Sequence, residues 1–248
     1  VLIGDSLTMQ LWGSLLCREE TKWGFGAKVD SQIQHKNVNY DARSQRGFSV
    51  ADAVVGDGLT WTYLRVRGMQ RAGALTRALE VAFDRGMLDQ RALYVVNAGL
   101  WHLLCTTNIN ECLETYENDV EKFLKVLTAR ADGPVVWRYT TAVHPSLFPR
   151  RMSPVDQRKF RSFTDENVRR LNKVADAVIR RDFKDKVTVR RDAYNFTVNL
   201  EDEAYLRGDA RHPASGALKS LVSLLFVEDA CDYGRLARGL VGRWWQDW

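Results

Sequence analysis

Short apolar or β-branched runs alternate along this chain with longer stretches whose apolar residues recur at helical spacing, and that alternation most constrains the fold. The runs are residues 1–4, LTWTYLRV (59–66), ALYVVNAG (92–99), PVVWRYTT (134–141) and KVTVR (186–190). Between them the spacing predicts a helix near 69–85, with Ala72, Leu75, Leu79 and Ala82 inward and Gly86 at its end. A second helix covers 110–130, with Leu113, Tyr116, Val120, Phe123, Leu124 and Leu127 on one face. A third covers 164–181 from a Thr164 cap and buries Val168, Leu171, Val174, Ala175, Val178 and Ile179; a last one covers 214–229. Repeated strand–helix units predict an α/β fold, a three-layer α/β/α sandwich with a mostly parallel central sheet. In such sheets ligands bind beyond the carboxyl ends of the strands. The ends to inspect are Gly4-Asp5-Ser6, Asn97-Ala98-Gly99, Thr140-Thr141 and the loop after Arg190.

A chain of 248 residues with 45% hydrophobic content can bury the core of one domain, 1–248. No apolar run approaches the ~20 residues of a membrane span. The sequence starts without Met and inside a strand pattern, so we expect it to begin partway through a longer protein, with any targeting segment or membrane anchor outside it. The net charge of +5 comes from arginine, 26 of the 36 basic residues, with pairs such as Arg169-Arg170 and Arg190-Arg191. These fit solvated helix faces or a surface for an anionic partner. No zinc-finger spacing or RNA-binding signature accompanies them, so nucleic acid is not an expected partner. Cys17, Cys105, Cys112 and Cys231 lack CxxC spacing, which argues against a structural zinc site and leaves either disulfides or free thiols. The sequon Asn195-Phe196-Thr197 fits secretion and arises as readily by chance.

The opening IGDSLTMQLWGSLLC puts Ser6 where a strand hands over to a helix with Leu7, Leu11, Leu15 and Leu16 at helical spacing. A serine there caps the helix, or it exposes its hydroxyl as a nucleophile near free backbone N–H groups. Near the other end stands GDARHP (208–213). Asp209 can hold one imidazole nitrogen of His212 and leave the other to take a serine proton; the plain alternative is a surface turn. Asn97, after the strand at 92–99, can donate to an oxyanion together with the Ser6 N–H, or bond its own turn. Asp5, Trp101, His102 and Arg138 are the candidate substrate-binding residues. His102 is also a rival base, ranked behind His212 because no carboxylate neighbours it in sequence; His35 and His144 are outside candidates.

Together IGDSLTMQLWGSLLC, YVVNAGLWHLL, VVWRYTTAVHP and RGDARHPASGALKSLVSLL resemble the SGNH/GDSL hydrolase superfamily, most closely its PC-esterase branch with the plant trichome birefringence-like proteins. The resemblance implies a flavodoxin-like α/β/α sandwich and acyl-ester chemistry on carbohydrate through Ser6, His212 and Asp209, with Asn97 an oxyanion donor. It implies a further donor glycine in a loop after the second strand, for which Gly47 is the choice and Gly56 the competitor. It also implies no metal or organic cofactor, an acylated carbohydrate as partner, and a Golgi or secretory location. One departure stands out: Pro213 and Ala214 occupy the place of the Trp-Cys pair usual after the histidine. The other functional class left open is a non-catalytic carbohydrate- or protein-binding domain on the same scaffold.

Overall fold

The computed structural model describes residues 1–4, 8, 11–12, 15, 34–41, 46–55, 59–66, 73–104, 108–148, 157–158, 160–201 and 205. Ser6, Asp209, His212 and the helix expected at 214–229 lie outside them.

Strand β1 (Leu2–Gly4) is the centre of the sheet. All three of its residues are buried, as a strand covered on both faces requires. The antiparallel pair β2 (Gln34–Asp41) and β3 (Arg46–Val55) comes next in the chain, followed by β4 (Leu59–Val66), β5 (Tyr94–Val96), β6 (Val135–Arg138) and β7 (Val187–Arg190). The spatial order is β2-β3-β4-β1-β5-β6-β7. From β4 to β7 every pairing is parallel, whereas β3 joins β4, and β2 joins β3, antiparallel. Counting the parallel strands alone, the order is flavodoxin-like, and its switch point falls between β1 and β5.

Alternation along each strand divides the side chains between two faces. Ile3, Leu64, Val96, Val135 and Trp137 enter the main core with α1 (Ala74–Asp84), α2 (Ile109–Arg130) and α3 (Asp165–Val178). Leu2, Tyr63 and Val95 point the other way. There Thr8, Leu11, Trp12 and Leu15 are helical and buried, with the Trp12 ring 6.0 Å from Tyr63. The chain is an α/β three-layer sandwich with a mostly parallel sheet.

Helix ends follow local chemistry. Gly86 (φ +63°) supplies the left-handed residue that stops α1, and the Met87 N–H then reaches back to the Ala82 carbonyl. Asn108 Oδ1 accepts the Asn110 N–H to start α2, and Thr164 Oγ1 accepts the Asn167 N–H to start α3. The expected third helix changes hand-over at its end: α3 stops at Val178 and one wider π turn, Ile179–Phe183, follows. A short helix, α4 (Asp192–Thr197), comes after β7.

The antiparallel wing was not expected from the sequence. Strand β2 carries Val38 and Tyr40 among polar residues, as an edge strand can, because it has little core to fill. In β3 Phe48, Val50 and Ala51 are buried, and with Ala53, Val54 and Val55 following no single alternation runs its length.

Candidate functional site at the carboxyl edge of the sheet

The site is built outward from Gly4. A Cβ added to Gly4 would overlap Thr8 Oγ1 and stand 2.7 Å from the Asn97 carbonyl oxygen. The helical turn after β1 therefore folds back tightly onto the strand end, and only glycine leaves room for it. Residues 5 and 6 follow directly from this crowded point in the chain. Their placement lies outside the described residues, but the strand end that carries them is fixed.

Asn97 sits beside it. Its backbone N–H continues the β1–β5 ladder to the Ile3 carbonyl at 2.9 Å, and its side chain is 2% exposed. Nδ2 donates to the Arg138 carbonyl at 3.1 Å and to Thr140 Oγ1 at 3.4 Å. Both amide hydrogens are thus occupied, so in this arrangement Asn97 anchors the end of β6 rather than presenting a free donor. Its Oδ1 is buried with no hydrogen-bond partner among the described residues.

Gly99 (φ +146°) shows why a glycine stands two residues later. A side chain there would press on Tyr116 Oη at 3.0 Å and Thr140 Oγ1 at 3.1 Å, on a backbone conformation other residues avoid. Asn172 holds the adjacent loop by pairing with both backbone groups of one residue: its Oδ1 accepts the Thr140 N–H and its Nδ2 donates to the Thr140 carbonyl, each at 2.9 Å. Thr197 Oγ1 accepts the Ala142 N–H at 2.9 Å, so α4 fixes the next residues of the loop.

Tyr116, on α2, donates to the Ala98 carbonyl at 2.8 Å. Burial pushes its phenol far up from the ordinary tyrosine range. Tyr94 and Tyr194 are raised as well, first by burial and then by Asp89 and Asp165 respectively. The unfolded chain ionises tyrosine from about pH 10, whereas the folded chain holds these protons. Their contribution is full below about pH 10 and declines as pH rises beyond it, because the unfolded state then binds fewer protons. We expect Tyr116→Phe to flatten the alkaline fall in stability by up to about 1.4 kcal/mol per pH unit, read from urea unfolding between about pH 9 and 11. An unchanged slope would contradict it.

Several expected residues take other roles. His102 has a carboxylate partner after all, in space rather than in sequence: Nε2 lies 3.2 Å from Asp119 Oδ2, and the imidazole ring stands 4.9 Å from Tyr116. The carboxylate holds the proton on Nε2. Nδ1 is buried with no partner among the described residues, and the two side chains are 2% and 4% exposed. That depth makes the pair part of the floor of the site rather than a base facing a substrate. Arg138 is 1% exposed, its guanidinium buried. Trp101 is half-buried, edge-on to Phe163 at 6.4 Å. His144 reaches the Thr197 carbonyl through Nε2 at 3.2 Å, and its ring lies tilted against Tyr205 with centroids 4.4 Å apart. His35 lies on β2, three strands and about 14 Å from β1.

The glycine expectation is corrected. Gly47 lies inside β3, paired with Asn39, not in a loop, and β4 stands between it and β1, a separation of about 10 Å. The strand that flanks β1 on that side is β4, and the residues that follow it, 67–72 with Gly68 among them, lie outside the described residues. The signal was present, since 59–66 read as a strand with a glycine two residues beyond it. Gly56 lies outside the described residues, between Val55 and Leu59, which pair at the opposite, amino end of β4. Asp5 also lies outside them.

Cys112, at the start of α2, is disulfide-bonded; its partner is outside the described residues. Among the described residues no group of three His, Cys, Asp or Glu side chains is placed to hold a metal ion, and no helix is long and apolar enough to cross a membrane.

No protein-family model and no curated protein matches the chain. Among solved structures, a DUF4886 family protein from Bacteroides uniformis aligns over 90% of this chain and 81% of its own, at 9% identity and a TM-score of 0.46.

Proposed function

We propose that this chain is a serine-dependent acyl-ester hydrolase or O-acyltransferase acting on acylated carbohydrate, with Ser6 as nucleophile, His212 as base and Asp209 orienting the imidazole. The observation that carries the reading is the crowding at Gly4: a tight strand-to-helix turn beside Asn97, at the switch point between β1 and β5. That is the crevice where a doubly wound sheet takes its ligand, and Ser6 follows Gly4 by two residues.

In this mechanism His212 removes the Ser6 proton as Oγ attacks the acyl carbon. The charge that develops on the carbonyl oxygen is met by the Ser6 N–H and by Asn97. The 3.4 Å contact from Asn97 Nδ2 to Thr140 Oγ1 is at the margin of a hydrogen bond, so that hydrogen is the one to redirect. His212 next protonates the leaving alcohol. Water then resolves the acyl-serine in a hydrolase, and a sugar hydroxyl does so in a transferase. The chemistry calls on no metal or organic cofactor. The Cys112 disulfide supports an oxidising compartment, in line with a Golgi or secretory location.

The test is covalent capture. A fluorophosphonate probe should add to the full chain with stoichiometric loss of aryl acetate turnover, and peptide mass mapping should place the adduct on Ser6. An adduct on another residue, or none alongside absent turnover, would favour the non-catalytic binding domain.

A further inference from the structure

Asp119 is buried in the middle of α2, on the face otherwise occupied by Tyr116, Val120 and Phe123. A carboxylate in that position is unfavourable unless its lone pairs are used. Both oxygens are used, and on different loops. Oδ1 accepts the Gly73 N–H at 2.8 Å, at the foot of α1, and Oδ2 faces His102 Nε2 at 3.2 Å, in the turn after Asn97-Ala98-Gly99. Helix α1 is what the chain builds after β4, and the His102 turn is what it builds after β5. Strands β4 and β5 are the two that flank β1. Gly73 has φ +73°, the left-handed conformation, as the residue entering α1 beside the carboxylate.

We infer that Asp119 is a positioning residue: a single carboxylate that fastens together, from beneath, the two loops on either side of the β1 end. A change on its His102 side is felt at the start of α1, on its Gly73 side. The coupling stands on the geometry alone; its effect on turnover rests on the function proposed above.

Amide hydrogen exchange separates the two. In His102→Phe, which keeps the ring and removes the Oδ2 partner, the Gly73 N–H should exchange about ten-fold faster although nothing bonded to it was changed. Turnover of an aryl acetate should fall about ten-fold in kcat with KM within about two-fold, the loss of one hydrogen bond to a charged group. His102→Gln, whose amide N–H can still reach Asp119, should recover most of both. Should the Phe variant not fold, Asp119→Asn is read instead: loss of the charge weakens both bonds, so the Gly73, His102 and Leu104 amides should all exchange faster. Acceleration in one loop without the other, or a Gln variant no better than Phe, would overturn the coupling. A wild-type chain without Ser6-dependent turnover would overturn the proposed function and leave the exchange result to decide the coupling.

Discussion

Ser6→Ala is expected to lower kcat for aryl acetate hydrolysis by at least about a thousand-fold, and His212→Ala to do the same. The double variant should be no worse than either single one, because nucleophile and base act as a unit. Asp209→Asn should cost a comparable factor by favouring the wrong imidazole tautomer. The competing role for Ser6 has a different signature. A helix cap lost to alanine costs about 1 kcal/mol of stability and leaves no mark on kcat. Thermal unfolding of Ser6→Ala beside its kinetics therefore decides between them. Lower stability with turnover within about ten-fold of wild type would make Ser6 a cap.

Gly4→Ala should be strongly destabilising. Its Cβ would collide with Thr8 Oγ1 and with a backbone carbonyl, that of Asn97, whose residue is tied through its N–H to Ile3, and a backbone carbonyl cannot swing away as a flexible side chain can. Overpacking against movable neighbours costs about 1–3 kcal/mol; against backbone on one side and a helical turn on the other, the cost should exceed about 3 kcal/mol. The expected result is a large drop in the urea midpoint and a loss of activity greater than the unfolded fraction explains, since relief of the clash moves the turn that carries Ser6. A variant within about 0.5 kcal/mol of wild type would mean that the helix after β1 is not packed as tightly as Thr8 implies.

Much of this was readable beforehand. Strand β4 occupies 59–66, the face of α2 from Leu113 to Leu127 is the buried one, and Thr164 caps α3. These features are local: periodicity and capping act over one or two turns, so a sequence window contains their cause. What escaped was non-local. Asp119 stands 17 residues from His102, and only the packing of α2 against the turn after β5 brings them together. The antiparallel wing escaped because β2 is an edge strand with too few apolar residues to show a period. The choice of Gly47 took it for a loop residue, whereas its pairing with Asn39 puts it inside a strand of that wing. The occupied amide of Asn97 depended on where the Arg138 carbonyl would lie, which no spacing reveals.

The central position of β1 has a consequence for how the molecule is made. Leu2 pairs with Tyr63 on one side and Val95 on the other, so once made β1 has neither of these neighbours until much later segments emerge. Asn97 in turn lacks its acceptors until the end of β6 and Thr140 arrive. During vectorial synthesis the nascent β1 remains an apolar, unpaired edge, the kind of segment that chaperones shield and that aggregates when they do not. The edge around Gly4 and Asn97 is thus among the last parts of the sheet to close, and a chain released early carries β1 exposed.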